Sequence, residues 1–396
     1  DNTGSGSAVT LSSDGTSLLL DGTAIGGGGA SLELYAENPS SPTAPSATGT
    51  NAVAIGSGSS ATGTKAISIG DTGSIAAQEA VGIGDAAIVY SNATQGIAVG
   101  KGTQVGGAFS AAFGTKANVL SGQYATAIGC NSAASGATVA GNGAIAIGGS
   151  YASGTDSFAA AIDNNTSSYG AVGANSVAVG QNARAAQSNA IALGGSSLAN
   201  GVYSFAFNGT SSGAYSVALG GTASGSVAVS LKGATASGDR SLAVGFRAVS
   251  SRFGQKAFAN GRFAADGDAQ GSMFILRAAT TDATATVLTA DQGAAASTNQ
   301  IVAASDTCIT FDGTITAMQN GAQAYASWKI EGLLVNDGGT TTLANSATTV
   351  IQNLSSWGMA LSADNTNNAL AITCTGEASH NIRWVANIRT TEVTYA

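Results

Sequence analysis

A short strand ending in glycine recurs through this chain, first as AVAIG at 52–56, AISIG at 66–70, AVGIG at 80–84 and GIAVG at 96–100. The series continues through SAAFG, ATAIG, AIAIG, SVAVG, AIALG, SVALG and SLAVG up to Gly245, with degenerate copies FAAAID, SFAFN, SVAVS and AFANG. The spacing is about fourteen residues over about fifteen copies. Within a copy such as Val53-Ala54-Ile55, large and small apolar residues alternate, which is the two-residue period of a strand and not the 3.6 of a helix. Val53 and Ile55 therefore share one face and Ala54 faces the other way. Between strands lie segments such as GSGSSATGT and GQNARAAQS, whose Gly, Ser and Asn supply turns with positive φ. One strand, one turn and a return make a coil that is stable only when stacked on its neighbours. The recurrence of Ala, Ser or Gly in the middle of the strand predicts a small-residue surface approached closely by backbone or by another chain. Either a thin single-chain core or several chains associated along their length would hide it, and the second is preferred. Stacked about 4.8 Å apart, such coils build a rod on the order of 70 Å long.

Composition limits what the chain can do. Of 396 residues 56 are glycine, only 9% are charged and 6% aromatic, so large side chains suffice for one modest core. A net charge of −8 works against a nucleic-acid partner, whose phosphates are bound by Lys and Arg. No apolar run reaches the roughly 20 residues of a membrane span, so no membrane insertion is expected. Cys130, Cys308 and Cys374 are far apart, without metal-ligand spacing, and read as small apolar fillers. The one histidine, His380, has no nucleophile motif to serve, and no phosphate-loop lysine follows any Gly-rich turn. No catalytic residue, metal or cofactor is expected. Asp71 and Asp85 follow the glycine in two successive copies and would stack; they read as solvated turn residues before a calcium pair, and Asp-Gly-Asp at 266–268 is an equally weak cation candidate.

The two ends differ from the middle. Residues 1–46 contain alternating strand patterns split by Asp-Gly turns, then Pro39, Pro42 and Pro45 in an extended joint. Residues 47–267 hold the repeats and close on Arg240, Arg247, Arg252, Lys256 and Arg262, with Asp239, Asp266 and Asp268 nearby. This group reads either as a receptor site for acidic sugars or, preferred, as a neck where arginines tie adjacent chains together. Residues 268–396 lose the repeat and carry some nine irregular strands, from MFILRA to IRWVANIRTTEVTY, which suits a β-sandwich of jelly-roll type. Trp328, Trp357 and Trp384 all fall there. Core packing is their first expectation, and a platform for a sugar ring, together with Tyr325 or Tyr395, is the functional one.

The iterated SVAIG-like strand with its Gly-containing turn resembles the head repeats of YadA-like trimeric autotransporter adhesins, over about Asn51 to Gly261. That resemblance implies an all-β, left-handed parallel β-roll of three identical chains, extracellular and without enzyme activity. No heptads of a coiled-coil stalk follow residue 261, and the C-terminus lacks membrane-barrel strands, both of which a cell-surface adhesin should have. The repeats also resemble those of phage fibres and other virion structural proteins, and NALAITCTGEASHNIRWVANIRTTEV at 368–393 resembles their C-terminal module. The preferred expectation is a homotrimeric virion fibre. It would dock to virion proteins through its N-terminal end and meet a host-surface glycan or protein through its C-terminal tip. A bacterial adhesin head is the alternative, and a glycan-cleaving tailspike a more distant one.

Overall fold

The structure, a computed structural model, describes residues 11–13, 18–20, 23–25, 43–129, 137–160, 168–321, 324–353 and 357–395. Every regular element among them is a strand. No helix among the described residues is long and apolar enough to cross a membrane. The chain divides into two compact units, Asp1–Thr115 and Lys116–Ala396. Pro39, Pro42 and Cys130 lie outside the described residues.

The first unit opens with the expected small β element. Leu11–Ser13, Leu18–Leu20 and Thr23–Ile25 pair antiparallel in chain order. From Ser46 the repeats take over, and each coil contributes a two-residue strand and a three-residue strand. The short strands, from Ser46–Ala47 to Gln104–Val105, stack in parallel. The longer ones, from Val53–Ile55 to Ala111–Phe113, do the same, with Val53 beside Ile67 and Ile97 beside Ala111.

The second unit repeats this plan, from Asn118–Val119 to Val249–Ser250 in one ladder and from Thr126–Ile128 to Lys256–Phe258 in the other. Register survives changes in coil length. Thr126 pairs with Ile145, nineteen residues on, while Phe205 pairs with Val217, only twelve on. Ladder pairing fixes only the strand positions and does not depend on the length of chain between them.

The coil interior is built mostly of alanine and serine, with Ile75, Val89 and Val105 in the first unit and Val119 and Val139 in the second buried among them. In the second unit the middle residue of every three-residue strand is buried, from Ala127 and Ala146 to Ser230, Ala243 and Ala257. The facing short strand supplies Ala152, Ala185, Ala199 and Ala236, also buried. Interior hydroxyls bond one another or nearby carbonyls: Ser216 Oγ lies 2.6 Å from both Ser211 Oγ and the Gly213 carbonyl oxygen. That pairing removes the desolvation penalty of burying them. Coils approach so closely that a Cβ at Gly213 would overlap the Gly225 carbonyl, which is why a turn glycine is required there.

This placement corrects two sequence expectations. The small-residue face does not await another chain; it is the inside of the coil, and the Val, Ile, Leu and Phe face points out. The copy SVAVS at 226–230 is also out of register, because its strand is Val229–Leu231 with Ser230 inside. Val227 takes the turn position at φ +58°, and Ala228 fills the interior site just before the strand. AFANG at 257–261 shifts by two residues in the opposite sense, its strand being Lys256–Phe258.

After the last coil, pairing turns antiparallel. Lys256–Phe258 pairs with Ala269–Thr280, which pairs with Ile382–Thr394, then Thr307–Gln319, Tyr325–Asp337 and Thr340–Asn353. A smaller sheet of Thr286–Val287, Ile301–Val302, Gly358–Asp364 and Ala369–Thr375 completes the expected sandwich. Alternate residues of the long strands, such as Leu276, Ile309, Ile315, Ile330 and Ile388, meet Leu370 and Ile372 of the smaller sheet in one core.

Candidate functional site

Two faces of the second unit carry its candidate chemistry: the outward stripe of the coils, and the sandwich with its junction to the last coil.

On the coils, the residues flanking each buried alanine emerge outward. Val179, Leu193, Phe207, Leu219, Leu231, Val244 and Phe258 stand beside one another through successive pairings. None is buried; Leu219 is 39% exposed and Phe258 48%. A cavity of about 620 Å³ opens among Phe207, Leu219, Lys232 and Phe246 on this stripe. In the first unit, Ile55, Ile69, Ile83, Val99 and Phe113 form the equivalent stripe. A contiguous apolar strip of this kind marks an interaction surface. At one corner of the second unit, Tyr203 and Tyr215 stack at 5.0 Å and 6°. Their φ of +57° places them in turn positions, and the strand pattern gave no sign of this pair.

The basic group at the end of the coils is brought together, but within one chain. Asp266 accepts from Arg262 Nη1 at 2.6 Å and from Arg247 Nη1 at 3.3 Å, and Arg247 also lies over the Phe246 ring at 4.6 Å. Asp268 is buried and accepts the backbone N–H groups of Phe263, Ala264 and Ala265, capping that turn. Burial would raise its carboxyl, but those donors outweigh it and hold the group below its ordinary range. Asp239 accepts the Ser226 N–H at 2.8 Å, and Arg240 lies 5.1 Å over the Phe253 ring. The three aspartates expected to tie adjacent chains are therefore engaged by their own. Lys256 is exposed on the last coil strand.

Arg252 has a partner the sequence did not suggest. Burial pushes its guanidinium down, and Glu392, which lines the same 210 Å³ cavity, pulls it back up. Glu392 in turn accepts from Gln270 at 2.9 Å and from Thr390 at 2.6 Å. Glu392 lies 140 positions beyond Arg252, and only the pairing of Ala269–Thr280 with Ile382–Thr394 brings them together.

The tryptophans resolve to the core. Trp384 is fully buried, stacks on Trp328 at 5.7 Å and 20°, and meets Trp357 at 5.7 Å and 57°. Its Nε1–H donates to Thr280 Oγ1 at 3.0 Å. With both ring faces covered, none of the three offers a platform to a sugar, which corrects that expectation. Tyr325 and Tyr395 remain outside, 49% and 89% exposed.

The minor candidates divide as well. Asp85 pairs with Lys101 Nζ at 2.9 Å, and this cation holds its carboxyl low. It thus behaves as the solvated turn residue expected. His380 Nδ1 sits 3.0 Å from Glu377 Oε2. Cys374 is a buried filler whose thiol is pushed up to about 12 by desolvation, whereas Cys308 is exposed on the outer sheet face and fills nothing.

The family described as the YadA head domain repeat matches residues 47–71, 171–197, 188–207 and 232–248. Those stretches lie in both units and cover less than half of the chain. No curated protein matches the chain. With parallel two-strand coils at every matched stretch, the repeats are YadA-like head repeats in sequence and in fold.

Proposed function

We propose that the chain is a homotrimeric structural fibre of a phage virion that attaches to a host surface through its C-terminal sandwich. One observation carries the reading: the coils close their interiors mostly with alanine and serine, and the large apolar residues of the three-residue strands turn outward in an unbroken ladder. Those residues leave water only against other chains. YadA-like heads are homotrimers, and three parallel copies would face their stripes to one another, so the outward ladder becomes the shared core. Such a chain is an extracellular spacer that binds and does not turn over substrate. The neck residues, Arg240, Arg247, Arg252, Lys256 and Arg262, would stiffen the end of the roll in each chain, and residues 1–46 would attach it to virion proteins.

The sandwich that directly follows the last coil supports a fibre with a terminal binding module. Three such modules would give avidity to weak single sites. The repeat match fits the head of a bacterial trimeric adhesin equally well, and this is the second reading.

Light scattering on the purified chain should give three times 38.1 kDa. A monomer would overturn the trimer. Immunogold labelling with antibody raised against residues 268–396 should decorate virus particles; label confined to bacterial surfaces would favour the adhesin head.

A further inference from the structure

We propose that the end of the sandwich remote from the coils holds a binding site for an acidic sugar, with Arg383 taking the carboxylate and Tyr325 flanking the ring. This deepens the attachment reading above and rests on it for biological meaning, although the binding chemistry stands by itself.

The location follows from strand register. The last coil strand pairs Lys256 with Met273, whereas Thr280 pairs with Ile382 at the other end of the same ladder. Seven residues of strand put that end about 23 Å from the last coil. There a cavity of about 450 Å³ is lined by Thr280, Thr281, Met318, Asn320, Asn381 and Arg383, among others. Its size suits a small ligand.

The walls are fixed in place. Trp384, next to Arg383, is locked in the core and donates to the Thr280 hydroxyl. The Asn320 N–H donates to the Asn381 carbonyl at 2.9 Å, which ties the hairpin to the approach of the final strand. Both asparagines line the cavity, and an asparagine amide can donate to and accept from sugar hydroxyls.

Charge gives the ligand its sign. Arg383 is the one ionisable residue in the lining, and its guanidinium has no hydrogen bond or ion pair among the described residues. Arg389, six residues on in the same strand, pairs with Asp312 at 2.9 Å. Of the carboxylates nearby in sequence, Asp282 accepts the Thr284 N–H, and Glu377 Oε2 lies 3.0 Å from His380 Nδ1. A planar guanidinium with an open fork matches a carboxylate bidentately. Tyr325 does not line the cavity but pairs in the ladder with Met318, which does, and so shares its face, with Tyr325 half exposed. An aromatic ring beside hydroxyl-binding amides and a cation suits a uronic or sialic acid better than a neutral sugar.

Isothermal titration of the full chain with glucuronic acid, N-acetylneuraminic acid and glucose tests the site. A carboxylated sugar should bind saturably and glucose about tenfold more weakly or less. Arg383→Gln should lose about tenfold in affinity for the acidic sugar, Tyr325→Ala severalfold, and Arg389→Gln nothing. An unchanged near-ultraviolet dichroism of the tryptophan cluster would show that Arg383→Gln keeps its fold, and Arg383→Lys should restore part of the binding. The site is overturned if neither acidic sugar saturates, if glucose binds equally well, or if folded Arg383→Gln binds like the parent. Particle labelling fails independently of this titration, so loss of the fibre reading and loss of the sugar site remain distinguishable.

Discussion

The coils and the sandwich bury apolar surface in opposite ways. Coil interiors hold mostly alanine and serine with a few valines and Ile75, and the large residues of the three-residue strands are left on the outside. The sandwich puts Trp384, Phe311, Leu276 and Ile330 inside and leaves mixed residues, such as Ile275, Arg389 and Thr391, on its outer face. The difference lies in the distance between layers. Two sheets packed face to face leave about 10 Å for interdigitating large side chains. A coil that turns after two or three residues leaves a narrower gap, filled mostly by methyl and hydroxyl groups, and where Ile75 enters it the facing strand carries Gly82, whose missing Cβ makes the room. The sandwich therefore completes its core within one chain, whereas the roll leaves its large apolar residues on the surface, where the proposed trimer would cover them.

Charging the outward stripe should break that contrast most visibly. Leu193→Asp with Leu219→Asp places carboxylates in the proposed shared core while leaving each coil interior untouched; light scattering should fall from three chain masses to one. The same measurement after an aspartate at Thr391, on the outer sandwich face, should be unchanged.

Truncating Trp384 to alanine removes the centre of the tryptophan cluster and the bond to Thr280, at a cost of about 3–5 kcal/mol. Denaturant unfolding followed by tryptophan fluorescence should show the loss, because all three indoles sit in the sandwich.

Overfilling the coil is the converse experiment. Ala218→Leu inserts volume where Ala223 and Ala228 already meet it, and should destabilise by about 1–3 kcal/mol or more. Thermal melting followed by far-ultraviolet dichroism is the measurement. Substituting Leu219, one residue along, with Ala should leave the coil folded and weaken only association.

Thiol labelling sharpens the comparison within the sandwich. At pH 8 the Cys374 thiol, raised to about 12 by burial, should stay unmodified in native protein, while exposed Cys308 reacts. Peptide mapping separates the two.

The smallest effect concerns acid. Asp268 has a folded-state pKa below its unfolded value, so its contribution to the 263–268 turn is fully present above the unfolded pKa of about 3.9 and is lost as pH falls through the lower folded value. Hydrogen exchange of the Phe263, Ala264 and Ala265 amides should stay slow down to about pH 4 and accelerate below it. In Asp268→Asn that acid step should be absent.

Much of this was legible beforehand, and the exceptions have physical causes. Local rules sufficed for the strands, the turn glycines and the switch from repeat to irregular pattern, because alternation and turn chemistry act over a few residues. The shifted strand at Val229–Leu231 was misread because SVAVS alternates equally well in two registers, and only stacking on Val217–Leu219 selects one. Asp266 was grouped with arginines in the sequence, and within its own chain it pairs with Arg262 and with Arg247, the latter brought to it only by the stacking of the last coils. Tyr325 kept its exposed position, but the cavity beside it needs Asn320, Asn381 and Arg383, which are adjacent only across the hairpin and the final ladder.

By itself the sequence determined that the chain has two faces per coil and a fourteen-residue beat, since a strand's side chains must alternate. Only the tertiary structure decided which face is inside. Alternation is symmetric between the two sides of a strand, and the choice is made by the narrow gap between the two strand ladders, which Ala218 fills while Leu219 stands outside.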